Sequence, residues 1–416
     1  RDVPASPPAS DADGGRTGYV ASRAHHAEIG GIAPGSMPAA ARCLAEEGVV
    51  IPPLKWISAG TLLNAPLEQL LRESPYPSRR PEENLADLEA QAASVAHGVT
   101  TLESMGRAHG GNIVRDEMKG ILDRSATLMA RLLRDTAQST LSKQDTLDDG
   151  TPLAVSFTVK DGKLTVDFTG SGPVHPRNLN ATPAIVRSVL LYVLRVWLDE
   201  NVPLNEGLLE PVDIILPSGF LNPEFPDDPT QCPAVVGGNV ETSQRLTDLL
   251  LSALGLCANA QGTMNNFLFG NERFGYYETI AGGSGAGPGF HGKSGRHVHM
   301  TNTAITDPEI LEHRFPVRLH QFSLREGSGG KGQFHGGDGV VREIEFLEPM
   351  TVSLLTERRT SAPQGLGGGS PGQTGQQIRV HLDGSTEILP GAVTYHAAAH
   401  ERIVIRTPGG GGMSPP

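Results

Sequence analysis

From Pro81 onward, apolar residues recur at Leu85, Leu88, Ala92, Val95, Val99, Leu102 and Met105, in alternating three- and four-residue steps. That spacing puts them on one face of a 3.6-residue repeat and predicts a long amphipathic helix, broken by Gly110-Gly111. A second helix is predicted beyond the glycines, with Val114, Met118, Ile121, Leu122, Leu128, Met129 and Leu132 on its buried side, and the two would pair antiparallel. The period then falls to two. Val155, Phe157 and Val159 alternate, as do Leu164, Val166 and Phe168, and the Asp161-Gly162 between them signals a hairpin. Pro183 opens a helix running to about Leu198, and another runs from about Thr242 to Leu254, closed by Gly255. Beyond Tyr276 the chain turns to strand and glycine loop: 340–346 with 351–355 reads as one hairpin, and 378–382 with 386–389, across Asp383-Gly384, as another. The predicted fold is mixed α+β. It is one module over 1–416, with a histidine loop and helical pair in 1–150 and glycine-rich loops in 151–416, β-rich toward its C-terminal end.

Composition narrows the function classes. Hydrophobic residues at 38% and charged residues at 19% describe a globular chain with a sizeable core. The net charge of −12, with no compensating basic run, argues against nucleic-acid and membrane partners. Cys43, Cys232 and Cys257 lie far apart without metal-ligand spacing, which fits free thiols in the cytoplasm. The 51 glycines, concentrated after residue 236, imply many positions of positive φ or of close backbone approach.

Several runs could carry chemistry. His25-His26, with Glu28 two residues on and Gly30-Gly31 closing the turn, offers two imidazoles and a carboxylate in one compact loop. Such donors suit Zn, Mn or Fe, against the plainer reading of hydrogen-bonded surface histidines. Residues 287–294 match G-x-x-x-x-G-K-[ST] letter for letter, but Gly295 and the β-favouring run after it supply no helix to hold phosphate. A loop whose amides cradle a substrate or phosphoryl group is the better reading there. His297 and His299 would share one face of a strand, as acid–base groups or as polar residues facing solvent. Gly237-Gly238 precedes a helix start with Glu241 beside the cap, which suits either an anion site or ordinary capping. Glu357-Arg358-Arg359 ends a strand, a placement compatible with an active-site carboxylate but more often that of a surface salt-bridge cluster. The G-x-S-x-G at 368–372 has neither the strand nor the helix of a nucleophile elbow.

Taken in order, 22–38, 236–245, 261–266, 269–286, 291–310, 327–339 and 407–412 resemble the hydantoinase B/oxoprolinase family. Within it, 274–279 and 299–303 are most similar to the 5-oxoprolinases, with N-methylhydantoinases and ketone carboxylases next. The resemblance implies ATP-dependent ring opening of 5-oxoproline to glutamate. A hydantoinase A-like partner, fused or separate, would use ATP to phosphorylate the lactam, and this module would open the ring of that small cyclic amide. It further implies a divalent metal (Mn, Zn or Mg) held by His25, His26 and Asp2 together with a histidine from an upstream segment, so the chain reads as truncated at its N-terminus and as part of a homo- or hetero-oligomer. Glu241, His297 and His299 become the acid–base candidates, and Arg23, Asn239 and Asn302 the substrate-binding ones. An inactive scaffold is the reading from a different class.

Overall fold

The computed structural model describes residues 9, 10 and 16–414 and shows a mixed α+β fold. A short helix, α1 (Asn64–Glu73), leads into the predicted pair, α2 (Pro81–His109) and α3 (Gly111–Asp135). Gly110 joins the pair at φ +90°, a left-handed conformation that glycine takes without strain. The buried stripe of α3 is Val114, Ser125, Met129 and Leu133, whereas Met118, Ile121 and Leu122 of the expected face are more than 40% exposed. The period was therefore right and the face only partly so: the turn Glu206–Leu209 meets α3 at the Leu122 carbonyl and Asn205 bonds Ser125, leaving the side chains of Met118, Ile121 and Leu122 partly open.

The chain then builds an antiparallel run of β1 (Ser139–Thr146), β2 (Pro152–Lys160) and β3 (Lys163–Asp167). After α4 (Pro183–Leu198), β4 (Val212–Ile215) joins parallel to β3. Asp161 (φ +51°) and Gly162 (φ +74°) are both left-handed, as a two-residue hairpin with the native strand twist demands. Phe157, Val166 and Phe168 of this sheet pack with Val189, Leu190 and Val193 of α4 and with Leu246, Leu249 and Leu250 of α5 (Ser243–Ala253) in one core.

Two antiparallel sheets form the remainder. The first runs in the order β6 (Gly275–Glu278), β5 (Asn266–Gly270), β9 (Met350–Leu355), β12 (Ala392–Ala397). The second follows α6 (Pro308–Arg314) and runs β7 (Val317–Arg325), β8 (Gly339–Phe346), β13 (Arg402–Arg406), β10 (Gln376–Val380), β11 (Thr386–Leu389). Phe267, Phe269, Val352 and Leu354 from one sheet meet Ile344, Phe346, Ile403 and Ile405 from the other. Leu268 and Leu355 point the opposite way, into the helical core. Burial on both faces is why β5 reads as a continuous apolar run and not as an alternation. The hairpin expected of 378–382 with 386–389 is present, its first strand running 376–380, but β8 and β9 are not paired: the short turn between them carries the chain from one sheet to the other. Among the described residues no helix is long and apolar enough to cross a membrane.

One buried ion pair links the sheets. Arg342 on β8 donates to both oxygens of Glu278 on β6 (2.7 and 3.1 Å), with both side chains at most 2% exposed. Arg342→Ala would strand that carboxylate without its counter-ion. The expected cost is about 3 kcal/mol, measurable as a lower urea midpoint.

The glycines of 283–287, 328–337, 365–372 and 409–412 pack backbone against backbone. None of Gly409, Gly410, Gly411 or Gly412 is left-handed, so the need here is close approach. A Cβ on each would be driven into the carbonyl of Ser328, Ser284, Gln364 and Lys331 respectively. The amides of Gly410, Gly411 and Gly412 donate to Gly337, Asn259 and Ser370 (2.8–2.9 Å), three different neighbours in succession. That is the habit of a three-residue-per-turn extended helix, not of a two-fold strand.

Candidate active site

The histidine loop is held by its own carboxylate. Glu28 Oε1 accepts from the Gly30 amide (2.8 Å) and Arg79 Nη1 (2.7 Å), while Oε2 accepts from the Arg79 amide (3.0 Å) and Ser78 Oγ (3.3 Å). Arg79 also caps the Gly31 carbonyl, and Asn84 Nδ2 donates to that of Glu28 (2.6 Å). Glu28 is thus spent on shaping the loop and has no oxygen left for a metal, contrary to the sequence expectation. Gly30 and Gly31 both sit at φ +89°, and Gly35 and Gly275 let the loop lie directly on the β5–β6 hairpin.

That anchoring turns the two histidines apart. His25 is exposed, whereas the His26 ring is 12% exposed, with Nδ1 3.4 Å from Asp87 Oδ2 and 3.3 Å from Asn84 Nδ2. Asn84 and Asp87 stand three residues apart in the first turns of α2, hence on one face. Nδ1 thus faces both a carboxylate and an amide nitrogen: a proton shared with Asp87 would leave the Nε2 lone pair free, whereas a bond accepted from Asn84 would put the proton on Nε2. His26 and Asp87 supply one nitrogen and one oxygen donor, part of a divalent shell. Among the described residues no group of three or more His, Cys, Asp or Glu side chains is placed to hold an ion. Asp2, expected as a further ligand, lies outside the described residues. Arg23 lies on the same loop and is exposed.

Glu241 lies elsewhere. A π-turn, Gly238–Thr242, runs without a break into α5 and carries Glu241 to 0% exposure. Its Oε1 accepts from the Met264 amide (2.9 Å) and Asn266 Nδ2 (2.7 Å), while Oε2 has no partner. Burial, reinforced by Glu357, pushes its carboxyl up to about 8, and burial with repulsion from Asp148 pushes Glu357 to about 7. The anion site suggested by Gly237-Gly238 is not open: their amides donate to Asn178 and Val235 (2.8 and 2.9 Å), and the glycines allow close approach to the 178–181 backbone. Asn239 is half-buried, and its carbonyl accepts from Ser243 Oγ.

Raised carboxyl pKa values have a sign. The folded state keeps the Glu241 proton up to about 8, while an unfolded glutamate loses it near 4.5. Stability is therefore lost as pH rises from the lower value through the upper one, and levels off above it. Glu241→Gln is expected to flatten the fall in melting temperature between about pH 6 and 9 and to stabilise the protein at the alkaline end. Thermal melts across that range check it; parallel curves for variant and parent would contradict it.

The third locus also departs from expectation. His297 and His299 are on a loop and not on a strand, because His299 takes φ +54°. The turn carries His299 inward, where Nε2 lies 3.2 Å from Asp248 Oδ1 and Nδ1 3.3 Å from Tyr192 Oη. Burial holds the half-buried His297 below the ordinary histidine range, and its Nδ1 has no partner. Asn302 is exposed. In 287–294 the amides are also used internally: Gly287 and Phe290 exchange hydrogen bonds, Gly292 donates to His335 and Lys293 to Ser284 Oγ. Four of the seven amides of the expected cradle are thus spent within the protein. Sequence reading missed Asn84, Asp87, Asp248 and Tyr192, which come from helices whose faces no local motif could assign.

Beside Glu357 a cavity of about 590 Å³ opens between the β1–β4 sheet region and the loops of the β10–β11 hairpin. The triplet Glu357-Arg358-Arg359, expected on the surface, is instead drawn in by the β1–β2 segment: Arg358 donates to Asp145 (2.9 Å) and the Asp148 amide to Glu357 (2.8 Å).

Comparison with known proteins places this architecture. The Hydantoinase B/oxoprolinase family profile matches residues 4–416. The chain is 42% identical to 5-oxoprolinase 1 of Arabidopsis thaliana over 423 residues, covering 95% of this chain and 33% of that protein. It therefore spans about a third of the length of the 5-oxoprolinases it matches. Among solved structures, an ATP-dependent caprolactamase from Pseudomonas jessenii superposes with a TM-score of 0.78 at 23% identity, covering 94% of this chain and 70% of that one. A nucleotide-free acetone carboxylase gives 0.83 at 17% identity over 97% of this chain and 61% of that one. With a profile match over almost its whole length, the chain belongs to the hydantoinase B/oxoprolinase family.

Proposed function

We propose that this chain is the ring-opening half of an ATP-dependent 5-oxoprolinase. The observation that carries the reading is 42% identity to a 5-oxoprolinase over 95% of the chain. A five-membered lactam resists water because its nitrogen lone pair is delocalised into the carbonyl. Phosphoryl transfer from ATP to the lactam oxygen, on a hydantoinase A-like module, converts it into an activated imidate. Water then adds to the former carbonyl carbon, the C–N bond breaks to leave an acyl phosphate with a free amine, and a second water cleaves that acyl phosphate to glutamate and phosphate. Overall, 5-oxoproline, ATP and two waters give glutamate, ADP and phosphate.

His26, oriented by Asp87, is the residue proposed to take the proton from the attacking water. A divalent ion, if held by this loop with donors from beyond the described residues, would supply Lewis acidity toward the developing oxyanion. Three free cysteines suit a reducing cytoplasm. The caprolactamase likeness keeps a cyclic amide of another ring size as the second reading. The test uses the whole protein with ATP and compares glutamate release from 5-oxoproline with turnover of hydantoin, caprolactam, and acetone plus bicarbonate. ATP-dependent glutamate release must dominate. Turnover of one of the other substrates alone would replace this reading, and no turnover of any would favour a scaffold.

A further inference from the structure

We propose that the cavity beside Glu357 binds a small net-neutral amino acid, its ammonium on Glu357 and its carboxylate on Arg177. This does not depend on the ring-opening reading. The cavity is lined by three acids, Asp148, Asp149 and Glu357, and three guanidiniums, Arg177, Arg325 and Arg359. Equal numbers of each sign favour a ligand carrying both charges over a plain anion or cation.

Most of these groups are already occupied. Arg359 spends Nε, Nη1 and Nη2 on Gln377, the Glu357 carbonyl and Asn265. Arg325 spends Nη1 on the carbonyls of Thr374 and Thr407 and Nη2 on Gln373. Asp148 accepts from Ser361 Oγ (2.9 Å) and the Arg359 amide, and Asp149 from His175 Nε2 (2.6 Å) and the Thr151 amide (3.0 Å). Two groups are left. Glu357 is 4% exposed; its Oε2 accepts from the Asp148 amide, and no described residue donates to Oε1. Arg177 is 39% exposed in its side chain, and its recorded ionic neighbour, Asp149, is 3.8 Å away, beyond hydrogen-bond reach.

Glu357 Oε1, left without a protein donor on the cavity wall, can accept from an ammonium, and an open guanidinium matches a carboxylate. Leu355, Leu389 and Pro390 give the cavity an apolar wall for the carbon chain between the two charges. Glu357 faces Asp148, Asp149, Glu241, Arg245 and Arg359, and it titrates near 7, so an ammonium partner must pull it into its ionised form. Binding should therefore tighten as pH rises from about 6 to 8.

The test is calorimetry and saturation-transfer NMR on the intact protein with L-norvaline and its isomer 5-aminopentanoate, and with pentylamine and pentanoate as single-charge controls. At least one amino acid should bind about tenfold tighter than either control, and the preferred isomer reports the spacing of the two charges. Arg177→Gln, at an exposed position, should weaken binding about tenfold with the fold unchanged by circular dichroism, and Glu357→Gln should abolish the pH dependence. The proposal is overturned if neither amino acid binds at about 10 mM, well above the affinity a two-point ionic contact gives. It is equally overturned if the controls bind as well, or if Arg177→Gln leaves affinity unchanged.

Discussion

Gly410→Ala is expected to abolish stable folding, or at least to cost more than about 4 kcal/mol, the range reached only by severe overpacking or loss of a structural element. A Cβ at this position meets the backbone carbonyl of Ser284, which no rotamer change can move aside. Relief would require Ser284 to withdraw, yet its amide donates to Lys293 and its carbonyl accepts from Gly337. One methyl group therefore pushes on several segments of the bundle at once. Gly120→Ala should do the opposite. Gly120 is exposed inside α3 with nothing within 4 Å of a Cβ, so alanine should add about 0.5–1 kcal/mol by reducing the freedom of the unfolded chain. Urea titrations of both variants check the sign as well as the size; a Gly410→Ala protein as stable as the parent would mean that the glycines of the bundle are not there for close approach.

His26→Ala should lower ring opening by roughly 100-fold or more, the usual contribution of a positioned general base. The nearly buried ring is the one oriented by Asp87, so His25→Ala, at an exposed position, should cost much less. Asp87→Asn should fall between them, since it loses the orienting charge but keeps the imidazole. Glutamate release under saturating ATP separates the three. Equal losses for His25→Ala and His26→Ala would point to a shared ligand role instead of a single oriented base.

The sequence was most informative where a local rule decides the outcome. Three- and four-residue steps located α2 and α3, and Pro183 marked the first residue of α4. Asp161-Gly162 and Asp383-Gly384 marked true hairpins. It was misleading where the outcome depends on a distant partner. β8 and β9 have the alternation and short turn of a hairpin, but which sheet each joins is settled by β5 and β13. Glu357-Arg358-Arg359 looked like surface charge because Asp145 and Asp148, which bury it, lie more than 200 residues away. For the candidate site, the loop was legible from its motif, while the inequality of its two histidines was not: that follows from Glu28 binding Arg79 and from the face of α2 that carries Asp87. His299 was misread as a strand residue because its left-handed turn is imposed by the packing around Asp248 and Tyr192.

The most direct measurement is the ratio of glutamate to phosphate formed by the whole protein from ATP and 5-oxoproline, in the native form and in His26→Ala. If this chain opens a ring that another module has activated, the native ratio is about one. In the variant it should fall below about one tenth while 5-oxoproline-dependent phosphate release continues, because the activated lactam then loses its phosphate to water without ring opening. A variant whose ratio stays near one, or whose glutamate and phosphate fall together, would contradict the assignment of ring opening to the His26 loop.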